Sequence, residues 1–354
     1  MSTAEIATEP RKRPQAARSE AQPSEVDRNW RELVTRDEID AWLAMDDWKS
    51  WLSIAVNWGV VFASMALVAV WPNPLTIVAA LFLIGARQLG FAVMMHEASH
   101  RSLFSNKRVN DWVGNWLCAY PVWSDLTPYR PYHLQHHAHT GSEKDPDLGL
   151  VTPFPITPTS FRRKVWRDLS GQTGWKFAKG GFKRTFGRWN EDATARDAAI
   201  GVSVTNAVLF AILALAGHPW LYLLWVGAWL TTNTLVTRIR AIAEHALTPD
   251  ADEPRGHTRT TVPAWWERLL ICPNGVNYHM EHHLLITVPH YNLRAMHERL
   301  TELGVIGSAC VDHGYAAVLR RAASKGVSGP EAPEAADLFD ERGAHTPPVR
   351  TPPF

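Results

Sequence analysis

His279, His282 and His283, within the string NYHMEHH, stand at i, i+3 and i+4. On a helix that spacing projects three imidazoles from one face about one turn apart, the arrangement needed to close on a metal ion. The spacing recurs in HLQHH as His133, His136 and His137, and HEASH supplies His96 and His100 at i, i+4. Eight of the sixteen histidines fall in these three clusters. A single histidine on a helix is more often a hydrogen-bonded core or surface residue than a ligand. Two HxxHH strings and an HxxxH in one chain are rare by chance, and the set reads as metal-binding. A zinc site closes with four ligands, or with three and a water, so eight imidazoles imply two ions sharing a site. Imidazole suits zinc, copper and iron alike, and the ligand type leaves the metal open.

Helices must carry these clusters, and the chain supplies long apolar runs for them. Of its 354 residues, 46% are hydrophobic. Residues 51–71 carry no charge, have Trp at both ends and are long enough to cross a bilayer. A turn at 72–74 leads to a second span at 75–95, interrupted by Arg87 and Gln88. Arg87 at that depth either meets a polar partner or snorkels to the interface. The helix is expected to continue past Met95, so that His96, Glu97 and His100 ride on its projecting end. Residues 109–123 are apolar and aromatic but too short to span and contain Asp111, which fits a re-entrant or interfacial segment. Spans three and four are expected at 198–216 and 219–236. The string RIRAIAEH, 238–245, then extends the last helix, making His245 either a ninth ligand or a solvated histidine at a helix end.

The two short turns, 72–74 and 217–218, contain no Lys or Arg, whereas residues 101–197 hold fifteen. The positive-inside rule therefore places the N-terminus, the long connection and everything after the fourth span in the cytoplasm. All three histidine clusters then lie on one face, as a shared site requires. The expected fold is an all-α, multi-pass integral membrane protein, in the inner membrane for a bacterial chain, with four transmembrane helices and a cytoplasmic helical cap. The ordered domain is expected over 29–322, between tails at 1–28 and 323–354 rich in Pro, Glu and Ala. Residues 32–49 form an amphipathic helix, either on the membrane surface or as a soluble cap. Three separated cysteines indicate neither disulfides nor an iron–sulfur site, and the net charge of +1 argues against nucleic-acid binding.

HEASH, HLQHH and NYHMEHH, ordered as a pair of spans, two boxes, a pair of spans and a third box, resemble the membrane fatty acid desaturase superfamily over residues 50–300. The resemblance implies a non-haem di-iron centre with His96, His100, His133, His136, His137, His279, His282 and His283 as ligands. In relatives a further ligand comes from the helix between the second and third boxes, where AEH places His245. It implies two iron ions with O2 as co-substrate, and removal of hydrogen from an unactivated methylene of a membrane lipid or acyl substrate. No cytochrome b5 motif is present, so electrons come from an external donor of ferredoxin, rubredoxin or cytochrome b5 type.

Glu97, Asp145, Asp147, Glu244 and Glu281 sit in or beside the boxes and either accept an N–H from a ligand ring or are solvated charges. Asn277 and His139 are further candidates for this supporting role. Arg238 and Arg240 either pair with those acids or contact lipid phosphate. The stretch 161–188 carries nine Lys and Arg with Phe and Trp between them. It suits an acidic electron donor and anionic lipid, or simply reflects the topology bias. The expected function is O2-dependent fatty acid desaturation on an acyl lipid or acyl thioester. The alternatives are a hydroxylase or ketolase of the same superfamily acting on an alkyl, sphingolipid or carotenoid substrate, and a membrane zinc hydrolase.

Overall fold

The computed structural model describes residues 30–189, 192–248, 254–306 and 311–327. The expected N-terminal tail and nearly all of the C-terminal one lie outside these residues. The chain begins with α1 (Arg36–Leu43), whose N-terminus is closed by a capping box between Thr35 and Glu38. Trp42 of α1 is buried with Met296 and Leu300, and Arg299 Nε donates to Glu38 Oε1 at 2.7 Å. α1 is thereby tied to the part of the chain around 296–300.

Two long apolar helices follow, α2 (Asp47–Val70) and α3 (Pro74–His100). Asn73 caps α3 by accepting from the N–H groups of Leu75 and Thr76, with Pro74 in the first turn, where its missing N–H costs nothing. α3 is the axis of the molecule. From Ile84 to His100 only Ala92 is not fully buried, and its last turn carries the first histidine pair, as the sequence led us to expect. Arg87 neither snorkels nor stands free, since its Nη2 donates to Leu269 O at 2.5 Å.

α4 (Lys107–Val113) runs into a π-helical turn, Gly114–Ala119, and a 3-10 turn, Tyr120–Val122, which pack their buried side chains against α3 and do not span. α5 (Leu126–His139) bears the second box, its N-terminus capped by Asp125. After α6 (Leu148–Val151) come α7 (Pro158–Leu169) and α8 (Gln172–Thr185), which expose Trp166, Trp175 and Phe182 among their cations. Exposed aromatics interleaved with Lys and Arg are the pattern of helices lying in a membrane interface. Asp168 is the exception, fully buried and paired with Arg238 Nε at 2.5 Å, so Arg238 meets an acid other than those beside the boxes.

α9 (Ala193–Leu215) is the third helix long and apolar enough to cross a membrane; among the described residues only α2, α3 and α9 meet that test. Ile200, Val204, Val208, Phe210, Ile212 and Leu215 all remain exposed on it, consistent with a lipid-facing surface. The expected fourth span is not one helix. It is a 3-10 turn at Pro219–Leu221, then α10 (Tyr222–Leu230), a break at Thr231 (φ −120°, ψ −85°), and α11 (Thr232–His245). The break goes with close approach. Thr232 Oγ1 donates to Leu81 O at 2.6 Å, and a Cβ added at Gly85 would stand 2.2 Å from that hydroxyl oxygen, so glycine is the residue that admits the contact.

The remainder forms a small lobe on the histidine side. β1 (Thr260–Val262), α12 (Trp265–Leu270), α13 (His279–Leu284), α14 (Leu293–Glu302), β2 (Val311–His313) and α15 (Tyr315–Ala322) compose it. β1 and β2 pair in parallel, with Thr260 opposite Val311. The chain remains packed slightly beyond the expected end of the domain at 322, because Lys325 N–H donates to Ile156 O.

Candidate metal centre

Four helix ends deliver nine histidines to one place: the C-terminal turns of α3, α5 and α11, and the short α13. The rings divide into two groups whose ring nitrogens lie within 4.8 Å of one another. Five belong to the first, His96, His100, His133, His137 and His282, and four to the second, His136, His245, His279 and His283. The division cuts across the sequence boxes. In each HxxHH box the i, i+4 pair joins one group while the i+3 histidine, rotated away by the helical period, joins the other. His245 therefore falls within the second group and is not a solvated helix end.

In the first group Nε2 of His133 is 3.0 Å from that of His100 and 2.9 Å from that of His137, which is itself 3.1 Å from Nε2 of His282. In the second, His279 Nε2 lies 2.8 Å from His245 Nε2 and 3.1 Å from His283 Nε2. Each Nε2 is either a donor or an acceptor, so these chains of contacts cannot all be good hydrogen bonds. Nitrogens about 3 Å apart are instead spaced as ligands converging on an ion about 2 Å from each. Both nitrogens of His96 and Nδ1 of His100 and His282 are buried and make no hydrogen bond within the protein. Burial, reinforced by neighbouring rings, holds His133, His279, His282 and His283 well below the usual histidine range and His245 down to about 3. The neutral ring, with its lone pair free, is the form that ligates. On spacing, burial and donor type, the nine residues fit two metal ions.

The outer contacts are specific. Asp145 Oδ1 lies 2.8 Å from His136 Nδ1, which fixes that ring with Nε2 free, while its Oδ2 accepts from Gly141 N–H at 3.0 Å. Burial alone would lower the His136 pKa; the Asp145 carboxylate outweighs it and raises it. Gly141 has φ +74°, and a Cβ there would meet His257 Nδ1 at 2.4 Å, so the loop that brings Asp145 back requires glycine. His257 in turn offers its carbonyl oxygen 3.2 Å from His245 Nδ1. Asp147 accepts from Tyr132 Oη at 2.6 Å and stands 3.8 Å from His136 Nδ1. Glu244 is bonded by Arg240 Nε at 2.6 Å and lies 3.6 Å from His279 Nε2; burial pushes its carboxyl up to about 7 against the pull of Arg240.

Other expected supports are placed differently. Glu281 is turned from the ligand rings to His297 Nδ1, at 2.6 Å, and to Thr260, because two residues from His279 is the opposite side of a helix. Glu97 comes within 3.5 Å of His96 Nδ1, and its other oxygen accepts the His290 N–H at 2.9 Å. His139 joins neither group. The Asn277 side chain is buried with no protein partner. Sequence reasoning missed His290, His257 and His297, which hold the carboxylates and the ninth ring. None of them has ligand spacing, and two act through the backbone, where side-chain identity leaves no signal.

A cavity of about 180 Å³ reaches the histidines. His133, His136, His245 and His279 form part of its lining, and Leu89, Ala92, Val151, Phe154, Phe177 and Trp229 supply apolar wall. The fold and site together define a helical protein with span-length apolar helices and a paired, histidine-rich centre facing a cavity with one apolar wall. The fatty acid desaturase profile matches residues 72–310, and the chain belongs to that family. It is accordingly an oxidoreductase. It is 29% identical to dihydrorhizobitoxine desaturase of Bradyrhizobium elkanii over 78% of this chain and 80% of that one. It is 26% identical to an sn-1 oleoyl-lipid 12-desaturase of a Picosynechococcus strain, over 70% and 75% respectively. With a chloroplastic omega-6 fatty acid desaturase of Brassica napus the identity is 26%, over 73% of this chain and 61% of the relative.

Proposed function

We propose that the chain is a membrane-embedded, O2-dependent desaturase of fatty acyl chains carried on membrane lipid or thioester, with two irons held by the nine histidines. The carrying observation is the five-and-four division of the rings beside a cavity walled in part by Leu89, Ala92, Phe154 and Trp229. A single zinc of hydrolase type would occupy about three ligands and leave the rest unexplained. In the overall reaction two neighbouring methylenes lose two hydrogens, and O2, with two electrons and two protons from outside, leaves as two waters. When bound, the metal pair supplies the oxidising power for that step. The chain's own residues supply position. Leu89, Ala92 and Phe154 keep water from the alkyl chain, and Asp145 and the His257 carbonyl hold His136 and His245 with Nε2 inward. Whether a second hydrogen is lost or oxygen is inserted depends on how the chain lies in that cavity.

The broken α10–α11 pair is the fourth crossing in this reading, with both termini and the metal centre in the cytoplasm. The absence of Lys and Arg from turns 72–74 and 217–218 supports it. Electrons come from a separate protein, and the exposed cations of α7 offer an acidic donor a surface beside the site. Turnover by the purified chain is expected to require O2, two bound irons and an added donor. One bound zinc with O2-independent turnover would refute the reading. Reversal of charge at Arg162, Arg163 and Lys164 should raise the donor KM about tenfold; an unchanged KM removes the docking role.

A further inference from the structure

The cavity is not apolar throughout. Gln88 and Ser124 are 1% and 7% exposed, and both line it. Gln88 Nε2 donates to Trp225 O at 2.8 Å, which anchors the amide, yet Gln88 Oε1 and Ser124 Oγ have no partner in the protein. Other buried hydroxyls behave otherwise. Ser99 Oγ donates to His96 O at 2.6 Å, and Thr234 Oγ1 donates to Thr231 O at 2.6 Å. Among the described residues, Gln88 and Ser124 are the only members of the cavity lining that keep a buried, unpartnered polar atom. A saturated hydrocarbon filling the cavity would leave an amide oxygen and a hydroxyl dry and unpaired, an arrangement buried polar groups rarely adopt.

We infer that Gln88 and Ser124 form a polar subsite for a hydroxyl or amino group borne by the chain of the substrate, remote from the carbon that is oxidised. The chemistry narrows the class. Gln88 Oε1 only accepts, so its partner must donate, and Ser124 Oγ can accept or donate in return. A carboxylate or ester oxygen cannot donate, whereas an alcohol or amine satisfies both groups. Position follows from the helix: Gln88 precedes His96 by eight residues on α3, which sets it about 12 Å along the axis from His96. The inference rests on the cavity being the acyl site and names a substituent that this acyl chain carries.

The test is displacement of cis-parinaric acid, a fluorescent fatty acid, from the purified full chain in nanodiscs. Competitors are stearic acid and stearic acids with one hydroxyl at the twelfth, fifteenth or final carbon. At least one hydroxylated acid is expected to compete about tenfold better than stearic acid. Ser124→Ala, which removes one oxygen and disturbs no protein hydrogen bond, should bring it to within about twofold while leaving stearic acid unchanged; Gln88→Met should do likewise. Equal competition by all four acids, or a preference that survives both substitutions, would overturn the subsite and leave the acyl reading standing, with the two groups serving a bound water. Failure of every acid, and of the same chains supplied as phospholipid and as thioester, to bind would remove the acyl reading and the subsite with it.

Discussion

Alanine at His133 and alanine at His136, three positions apart in one box, are expected to empty different metal positions. His133 belongs to the five-ring group and His136 to the four-ring group. Each single variant should purify with about one iron per chain where the natural chain has about two, and turnover should fall more than about a hundredfold, beyond what loss of an outer partner costs. Pairing His133→Ala with His100→Ala, inside one group, should leave the iron content near one. Pairing it with His283→Ala should bring it near zero, because ligands of one ion act as a unit and those of separate ions add. Elemental analysis of the four proteins, with helical circular dichroism as the control for folding, reads the difference. Equal loss of both irons from each single variant would show one cooperative cluster and reject the division.

Asp145→Asn has the next largest expected effect, although Asp145 touches neither group's ligating nitrogens. Its two oxygens accept from His136 Nδ1 and from the N–H of Gly141, and Oδ1 accepts also from the N–H of Asp147. Asparagine has one oxygen, so whichever way the amide turns, an NH2 faces a donor. His136 then loses either its tautomer or the loop that holds its partner. Affinity at the four-ring position should fall by about 10–100-fold, with the five-ring position retained, as followed by iron titration into the stripped protein. Asp147→Asn is the contrast. Its carboxylate is 3.8 Å from His136 and bonded by Tyr132, so its effect should be several-fold smaller.

What the sequence displayed and what it concealed divide along physical lines. The i, i+4 and i, i+3, i+4 spacings are local properties of a helix, and the eight histidines they singled out converge, joined by His245, which its place on the helical extension offered as one of two readings. Likewise, α2, α3 and α9 were legible as apolar runs of sufficient length, that of α3 interrupted by Arg87. The fourth run was equally apolar, and nothing in its hydropathy announced the break at Thr231, which depends on the fit of Thr232 against Gly85, a contact 147 positions distant. Glu281 shows a different limit. Adjacency in sequence suggested a ligand partner, but the helical period turns it to His297. Arg87 could be resolved only with its partner in place, the carbonyl of Leu269. The division of the rings into five and four was out of reach for the same reason, since it depends on how four helix ends meet.

The most direct measurement of the central claim is mass spectrometry of total lipids from a host expressing the chain with a compatible electron-donor system, beside a His282→Ala control. The account predicts an acyl product lighter by two hydrogen atoms that is absent from the control. A product heavier by one oxygen atom and equally dependent on His282 would contradict desaturation and make the chain a hydroxylase built on the same centre. Identical lipids in both hosts, with both proteins folded and the natural chain loaded with iron, would contradict the acyl-chain reading itself.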